Sequence, residues 1–266
     1  MANTHGDFIW YELLTGDADA AQAFYGKVIG WTVADSGQPG MDYRIVNAGG
    51  ASVGGLMGIT PDMAAKGARP AWLGYVAVDD VDKVVESIAH GGGNVAMPAT
   101  DIPNVGRIAL VTDPQGAHFY VMKPIGEGTS LAFSYDIPRD GHVAWNELVT
   151  SDQTAAWHFY GVRFGWTKDG EMEMGALGTY DFIRHHSPTG GVIGAIFTGT
   201  AEMGPPHWNQ YFRVPDIDVA KAAVESLGGS VINGPMEIPG GDFALNGIDP
   251  QGAHFGLVGK RVPPQA

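Results

Sequence analysis

The chain contains no cysteine, which removes disulfides, thiolate nucleophiles and cysteine-ligated metals together. It has no cluster of lysine or arginine, and 15 basic residues against 29 acidic ones leave a formal net charge of -14. Such a surface repels phosphate backbones and anionic headgroups, so neither nucleic acid nor a membrane surface is an expected partner. No run approaches the roughly 20 apolar residues of a membrane helix, and Met1 to Asp17 lacks a basic leader segment. The expected location is cytoplasmic. A Gly-rich phosphate loop following a strand is absent, because Gly49-Gly50 and Gly54-Gly55 fall between strands. There is no Gly-x-Ser-x-Gly nucleophile elbow.

What is present is a repeat. Trp10-Tyr11-Glu12-Leu13-Leu14-Thr15-Gly16-Asp17 returns as Trp145-Asn146-Glu147-Leu148-Val149-Thr150-Ser151-Asp152, and Phe24-Tyr25-Gly26 with Gly30-Trp31 returns as Phe159-Tyr160-Gly161 with Gly165-Trp166. Asp113-Pro114-Gln115-Gly116-Ala117-His118-Phe119 reappears unchanged as Asp249 through Phe255, one residue further displaced. Each copy also repeats within itself, since the strand, Asp, helix, Gly, strand pattern at 9 to 33 is echoed at 72 to 97.

Four modules follow from this. Asp17 is placed to cap a helix with apolar Ala20, Ala21, Phe24 and Val28 at helical spacing, and Gly30 supplies a positive φ at its end. Asp80 opens a helix with Val81, Val84, Val85 and Ile88 on its buried stripe, stopped by Gly91-Gly92-Gly93, and Ile217 to Leu227 is its counterpart. Short β-branched and aromatic runs come next, Arg107 to Thr112 and His118 to Met122, joined by an Asp-Pro-Gln-Gly stretch suited to a type I turn. Pro188-Thr189-Gly190-Gly191 reads as another turn, after His185-His186. The fold class expected is α+β, built from βαβββ modules.

Paired βαβββ modules, the segment Phe24-Tyr25-Gly26-Lys27-Val28-Ile29-Gly30-Trp31 and the closing Asp-Pro-Gln-Gly strand resemble the vicinal-oxygen-chelate superfamily, which includes glyoxalases, bleomycin-resistance proteins and extradiol dioxygenases. The resemblance covers nearly the whole chain. It implies four modules forming two tandem half-barrel domains, at 1–125 and 141–266 with a connector at 126–140, each holding a small-molecule ligand inside a cup. Duplication allows pairing of half-barrels within the chain as well as a homodimer.

In metal-dependent members of that family, ligands sit on the first and last strands of the modules. Those places carry over to Trp10, Met57, Leu73 and Tyr120 in the first half, and to Trp145, Ile193, Asn209 and Gly256 in the second. Only Asn209 offers an oxygen of a usable kind, and a divalent ion needs several converging donors. No metal is therefore expected at the usual positions, and the cofactor is left unassigned. A dioxygenase site would need two histidines and a carboxylate, a trio these places do not supply.

Alternation puts Glu12 on the face of Trp10 and Glu147 on that of Trp145, both pointing into the cups. A carboxylate leaving water needs a partner. His118 and His254, each two residues before a last-strand ligand place, share the inward face. Glu12 with His118 and Glu147 with His254 are thus candidate catalytic pairs for proton abstraction beside a carbonyl, or else buried structural pairs tying first strand to last. Candidate ligand-binding residues are Trp10, Met57, Tyr75, Tyr120, Trp145, Asn209, Tyr211 and Arg213. Trp31 and Trp72 are expected in the same apolar pocket. His207, Asn209, Tyr211 and Arg213 on one strand face make the second cup the more polar, suited to an anionic ligand unless Arg213 neutralises a neighbouring carboxylate. The function expected is binding of a carbonyl or aromatic compound, with lyase or isomerase chemistry; the alternative is a metal-free sequestering protein of the bleomycin-resistance type.

Overall fold

Four aspartates start the four long helices. In a computed structural model describing residues 3–38, 40–126, 128–134, 137–186 and 191–263, Asp17, Asp80, Asp152 and Asp216 each accept a backbone N–H of the first helical turn through Oδ1, at 3.0, 3.2, 2.9 and 2.9 Å. This satisfies a donor that has no partner inside the helix. The expected turn at Pro188 to Gly190 lies outside the described residues, as do Glu127, Tyr135 and Asp136 of the connector.

The first module runs β1 (Phe8–Thr15), α1 (Ala18–Val28), β2 (Thr32–Asp35), β3 (Tyr43–Ala48) and β4 (Ala51–Gly58), followed by a short helix α2 (Pro61–Ala65). The second runs β5 (Ala71–Ala77), α3 (Val81–His90), β6 (Asn94–Ile102), β7 (Gly106–Thr112) and β8 (His118–Pro124). The third comprises β9 (Val143–Thr150), α4 (Gln153–Phe164), β10 (Thr167–Glu173), β11 (Thr179–Arg184) and β12 (Val192–Thr198), and the fourth β13 (His207–Val214), α5 (Ile217–Ser226), β14 (Ser230–Glu237), β15 (Phe243–Ile248) and β16 (His254–Gly259). Every module is βαβββ, and its first strand pairs in parallel with its last. Two mixed eight-stranded sheets result, ordered β2-β3-β4-β1-β5-β8-β7-β6 and β10-β11-β12-β9-β13-β16-β15-β14. Among the described residues no helix is long and apolar enough to cross a membrane.

Packing groups the modules differently from the sheets. One compact unit comprises Met1–Trp10, Leu73–Ser130 and Trp145–Asn209, hence the second and third modules, and the other comprises Tyr11–Trp72, Leu131–Ala144 and Gln210–Ala266, hence the first and fourth. In the first unit the Tyr160 ring stacks on Trp166 at 5.5 Å and meets Trp208 edge-on at 5.4 Å. Its hydroxyl accepts from Trp208 Nε1 and donates to Asp113 Oδ2, both at 3.0 Å. The second unit repeats this with Tyr25, which accepts from Trp72 Nε1 and donates to Asp249 Oδ2, again at 3.0 Å. Trp31 and Phe255 complete its ring cluster.

The repeated Asp-Pro-Gln-Gly stretch thus has two tasks. Its aspartate accepts the hydroxyl of a buried tyrosine through one oxygen and two backbone N–H groups of its own turn through the other, from Gln115 and Ala117 in one copy and Gln251 and Ala253 in the other. Gly116 and Gly252 close these turns at φ +101° and +102°, where a side chain would be strained. Burial pushes the Tyr25 and Tyr160 phenols well above their ordinary value and raises the Asp113 carboxyl.

The expectation that Trp31 and Trp72 line a ligand pocket is corrected by this packing. Both rings pack against Tyr25 of α1, on the helix side of the sheet. Trp72 and Tyr75 are three residues apart on β5, and a strand turns such positions to opposite faces.

A second correction concerns register. Glu12 is level with Gly55 and Leu14 with Met57, whereas Glu147 is level with Ala195 and Val149 with Phe197. Phe197 rather than Ile193 therefore takes the place of Met57. A net one-residue displacement between the copies conceals a larger one before β12 that is reversed before β13.

Candidate functional site

The wall around Glu147 is built by β9, β11 and β12. On β11, Asp181 accepts from Trp157 Nε1 of α4 at 2.8 Å, so it faces the helix. Its neighbours Tyr180 and Phe182 therefore face the opposite side of the sheet. Glu147 lies there too, because Tyr180 donates its hydroxyl hydrogen to Glu147 Oε2 at 2.7 Å. Trp145 Nε1 donates in turn to the Tyr180 oxygen at 2.8 Å. The donor and acceptor roles are fixed by chemistry, since an indole N–H only donates and a carboxylate only accepts.

Phe182 meets Trp145 edge-on at 6.1 Å, and Phe197 lies 5.6 Å from Tyr180. Trp145, Tyr180 and Phe182 are half-buried. Glu147 retains 9% of its exposure. The wall is a carboxylate held by a phenol and framed by aromatic rings.

Elsewhere in the same unit, Tyr75 and Tyr120 are level on the parallel strands β5 and β8, and their rings stack at 4.2 Å with planes 16° apart. Asn209 is buried, Trp10 is half-buried, and His118 is exposed at the first position of β8.

In the other unit Glu12 is 2% exposed. The Tyr43 hydroxyl occupies the space above Gly55, where any Cβ would collide with it. Since Gly55 is level with Glu12, the first module carries its own phenol beside the carboxylate position. Met57 is half-buried on β4. Tyr211 lies flat over Gly256, its partner in register on β16, so that a Cβ there would strike the ring. Arg213 forms an ion pair with Asp242 at 2.7 Å and faces Asp140 at 3.7 Å. Its guanidinium is engaged by carboxylates, which leaves the anion-binding expectation without its cation. His254 is exposed at the start of β16.

The structure thus brings Glu147 together with Trp145, Tyr75 with Tyr120, and Tyr211 with Gly256. Tyr180 was missed in the sequence reading, which gave the carboxylate a histidine. A signal was available: Tyr43-Arg44-Ile45 and Tyr180-Asp181-Phe182 put an aromatic residue at the same place in two modules. His185, one of two adjacent histidines, is buried with its Nε2 3.1 Å from Asp7 Oδ1, while His186 lies 3.1 Å from Thr167 Oγ1.

A chelated metal ion does not fit these side chains. Among the described residues no three of His, Asp or Glu come together as a ligand set. The register also replaces one mapped place with Phe197, which has no donor atom.

Comparison with known proteins follows the geometry. Residues 8–121 match the Glyoxalase/Bleomycin resistance protein/Dioxygenase superfamily. A Mycobacterium tuberculosis (strain CDC 1551 / Oshkosh) protein named "Putative glyoxylase CFP32" is 36% identical over 261 residues, spanning 96% of this chain and 95% of its own. "Anthracycline biosynthesis protein DauV" of Streptomyces sp. (strain C5) is 32% identical over 264 residues, spanning 95% and 92%. Among solved structures, the Mn(II)-bound glyoxalase from Novosphingobium aromaticivorans superposes with a TM-score of 0.64 at 20% identity, over 98% of this chain and 83% of that one. The 2,2',3-trihydroxybiphenyl 1,2-dioxygenase of Sphingomonas wittichii strain RW1 gives 0.63 at 15% identity, over 97% and 91%. At such identities the structural likeness is one of fold.

Proposed function

Since the chain belongs to the glyoxalase/bleomycin resistance protein/dioxygenase superfamily, we propose that it binds a small planar organic molecule, and that Trp145, Glu147 and Tyr180 form the wall that receives it. The observation carrying this reading is the hydrogen-bonded series from Trp145 through Tyr180 to Glu147. A fixed carboxylate beside partly exposed rings offers a polar anchor and flat apolar faces together, the combination small-molecule sites use. Among the described residues the side chains do not compose a metal-ligating set, which favours binding over metal-assisted chemistry.

A relative named for anthracycline biosynthesis makes polycyclic aromatics the first compounds to try. A thermal-shift screen of anthraquinones should raise the melting temperature of the wild type. A ligand at a hundredfold excess over its Kd adds about 2.7 kcal/mol. The shift should disappear in a folded Glu147→Gln, Trp145→Leu double variant. Silence across the panel, or a shift the double variant retains, would refute the reading.

A second reading is proton transfer beside a carbonyl, with Glu147 as the base. The same carboxylate favours it. It requires a donor where negative charge develops on the carbonyl oxygen, and the Trp145 and Tyr180 donors are already engaged. Turnover of the hemithioacetal of methylglyoxal and a thiol, abolished in Glu147→Gln, would establish catalysis over binding.

A further inference from the structure

We propose, resting on the binding reading above, that Gln153 is the residue that positions this wall. Its side-chain amide holds the two peptide groups that carry Tyr180 and Phe197, so ligand affinity depends on it without any contact with the ligand. Gln153 is the first residue of α4, directly after the Asp152 cap. Its Nε2 donates to the carbonyl oxygens of Thr179 at 3.1 Å and Ile196 at 3.0 Å. Carbonyls only accept, so the NH2 end of the amide must face them. Each carbonyl belongs to the peptide bond leading into a wall residue, Tyr180 on β11 and Phe197 on β12.

The first module shows why such a hold is needed here. There β3 and β4 stay in register as far as Tyr43 with Met57, and the Asp42 carbonyl just beyond accepts from Gly58 N at 3.0 Å. In the third module the paired register of β11 with β12 ends one step earlier, at Asp181 with Ile196. Tyr180 and Phe197 therefore lie past the end of that ladder, and the carbonyl matching that of Asp42, on Thr179, accepts from Gln153. Ala18 has the place of Gln153 in α1 and offers no donor. Phe197 is level with Val149 of β9, the strand of Glu147, whereas Tyr180 is level with Met172 of the exposed strand β10. Gln153 joins the two. Tyr180 in turn donates to Glu147 and accepts from Trp145, so a displacement of its peptide is passed to both, and about 1 Å is enough to loosen a site.

Gln153→Met keeps the length of the side chain and removes both donors, and two measurements on it test the inference. The first needs no ligand. In a proton–nitrogen correlation spectrum the Trp145 indole N–H, which Tyr180 accepts, should shift and exchange with solvent at least about tenfold faster than in wild type. The buried Trp208 indole, given to Tyr160 in the same unit, should keep its position and its exchange rate. The second is affinity: 1,4-dihydroxyanthraquinone should bind the variant at least about tenfold more weakly than it binds wild type.

If Gln153→Met fails to fold, Gln153→Glu, of the same shape with acceptors in place of both donors, is measured in the same two ways. A Trp145 signal that does not move in folded variant overturns the inference. So does a Trp208 signal that moves as far as that of Trp145, because general loosening would then explain both. Unchanged affinity for the probe also overturns it, and in all three cases the binding reading stands. A wild type that binds neither this probe nor any other anthraquinone overturns the binding reading and takes this inference with it.

Discussion

Glu12 and Glu147 hold the same place in the first and third modules, yet their surroundings differ in ways only one of which a sequence comparison displays. Beside Glu147 stands Ala195, and the aromatic frame is Trp145, Tyr180, Phe182 and Phe197. Beside Glu12 stands Gly55, with Ile45 and Met57 where the third module has Phe182 and Phe197. The first wall keeps Trp10 and Tyr43 but is aliphatic where the third module has two phenylalanines, and its glutamate is more deeply buried; at Glu147 those two places are aromatic and the glutamate keeps some access. On the helix side, Arg44 bonds Gln22 at 2.9 Å where Asp181 bonds Trp157 at 2.8 Å, a reversal of charge at one position. Duplication has preserved the scaffold while changing what each wall offers.

The scaffold half of this comparison is broken most severely in the ring clusters. Trp166 and Trp31 are both buried at corresponding places. Their replacement by alanine should each cost about 3–5 kcal/mol, measured by urea denaturation. A cost under about 1 kcal/mol at either place would show that the two clusters are not equivalent supports.

Tyr160→Phe and Tyr25→Phe each strip an acceptor from a buried indole and a donor from a buried aspartate, an expected loss of about 1–3 kcal/mol. The Asp113 carboxyl adds a pH signature. Burial raises its folded pKa above its unfolded value, so between the two the folded chain binds more protons and this group's contribution to stability falls as pH rises. The stability of Asp113→Asn relative to wild type should therefore improve as pH is raised from about 3.9 upward. A difference flat in pH would contradict the burial cause.

Gly55→Ala sharpens the comparison of the two walls. The new methyl group must displace the Tyr43 hydroxyl, with an expected cost of about 1–3 kcal/mol. Ala195→Gly at the matching place should cost no more than about 1 kcal/mol, the propensity scale of a strand position. Equal effects would mean that the two phenols are held alike.

The smallest effect belongs to the charge reversal. Arg44 contacts Asp42 and Asp19 near the surface, so Arg44→Gln should cost at most about 1 kcal/mol at pH 7. The Arg44 hydrogen bond holds the Asp42 carboxyl below its ordinary range. That stabilisation is present above the unfolded pKa and lost as pH falls through the folded one, so wild type and variant should converge in acid. Persistent difference below about pH 3 would argue for a packing role of the arginine stem instead.

The modules were legible because each writes its boundaries locally: an aspartate cap, a helical stripe, a glycine stop, and strands joined by Asp-Pro-Gln-Gly. The inward face of Glu147 was legible from alternation alone. The place of Phe197 was not, because insertions that nearly cancel between Trp166 and β13 leave almost no trace in the overall offset. Nor were Trp31 and Trp72, since an indole fits a ligand wall and a core equally well until a neighbour is known. Tyr180 was hidden by distance, 33 residues beyond the glutamate it serves.

By itself the sequence determined the α+β class, four βαβββ modules and the side of the strand each glutamate takes. These depend on residues a few positions apart, where the pitch of a helix or the pleat of a strand fixes geometry. Tertiary structure decided that a phenol holds Glu147, that Arg213 is neutralised by Asp242 and Asp140, and that the repeated aspartates anchor tyrosines from another module. Such contacts depend on registry and packing between segments far apart in the chain, where one bulge or insertion shifts which side chains meet.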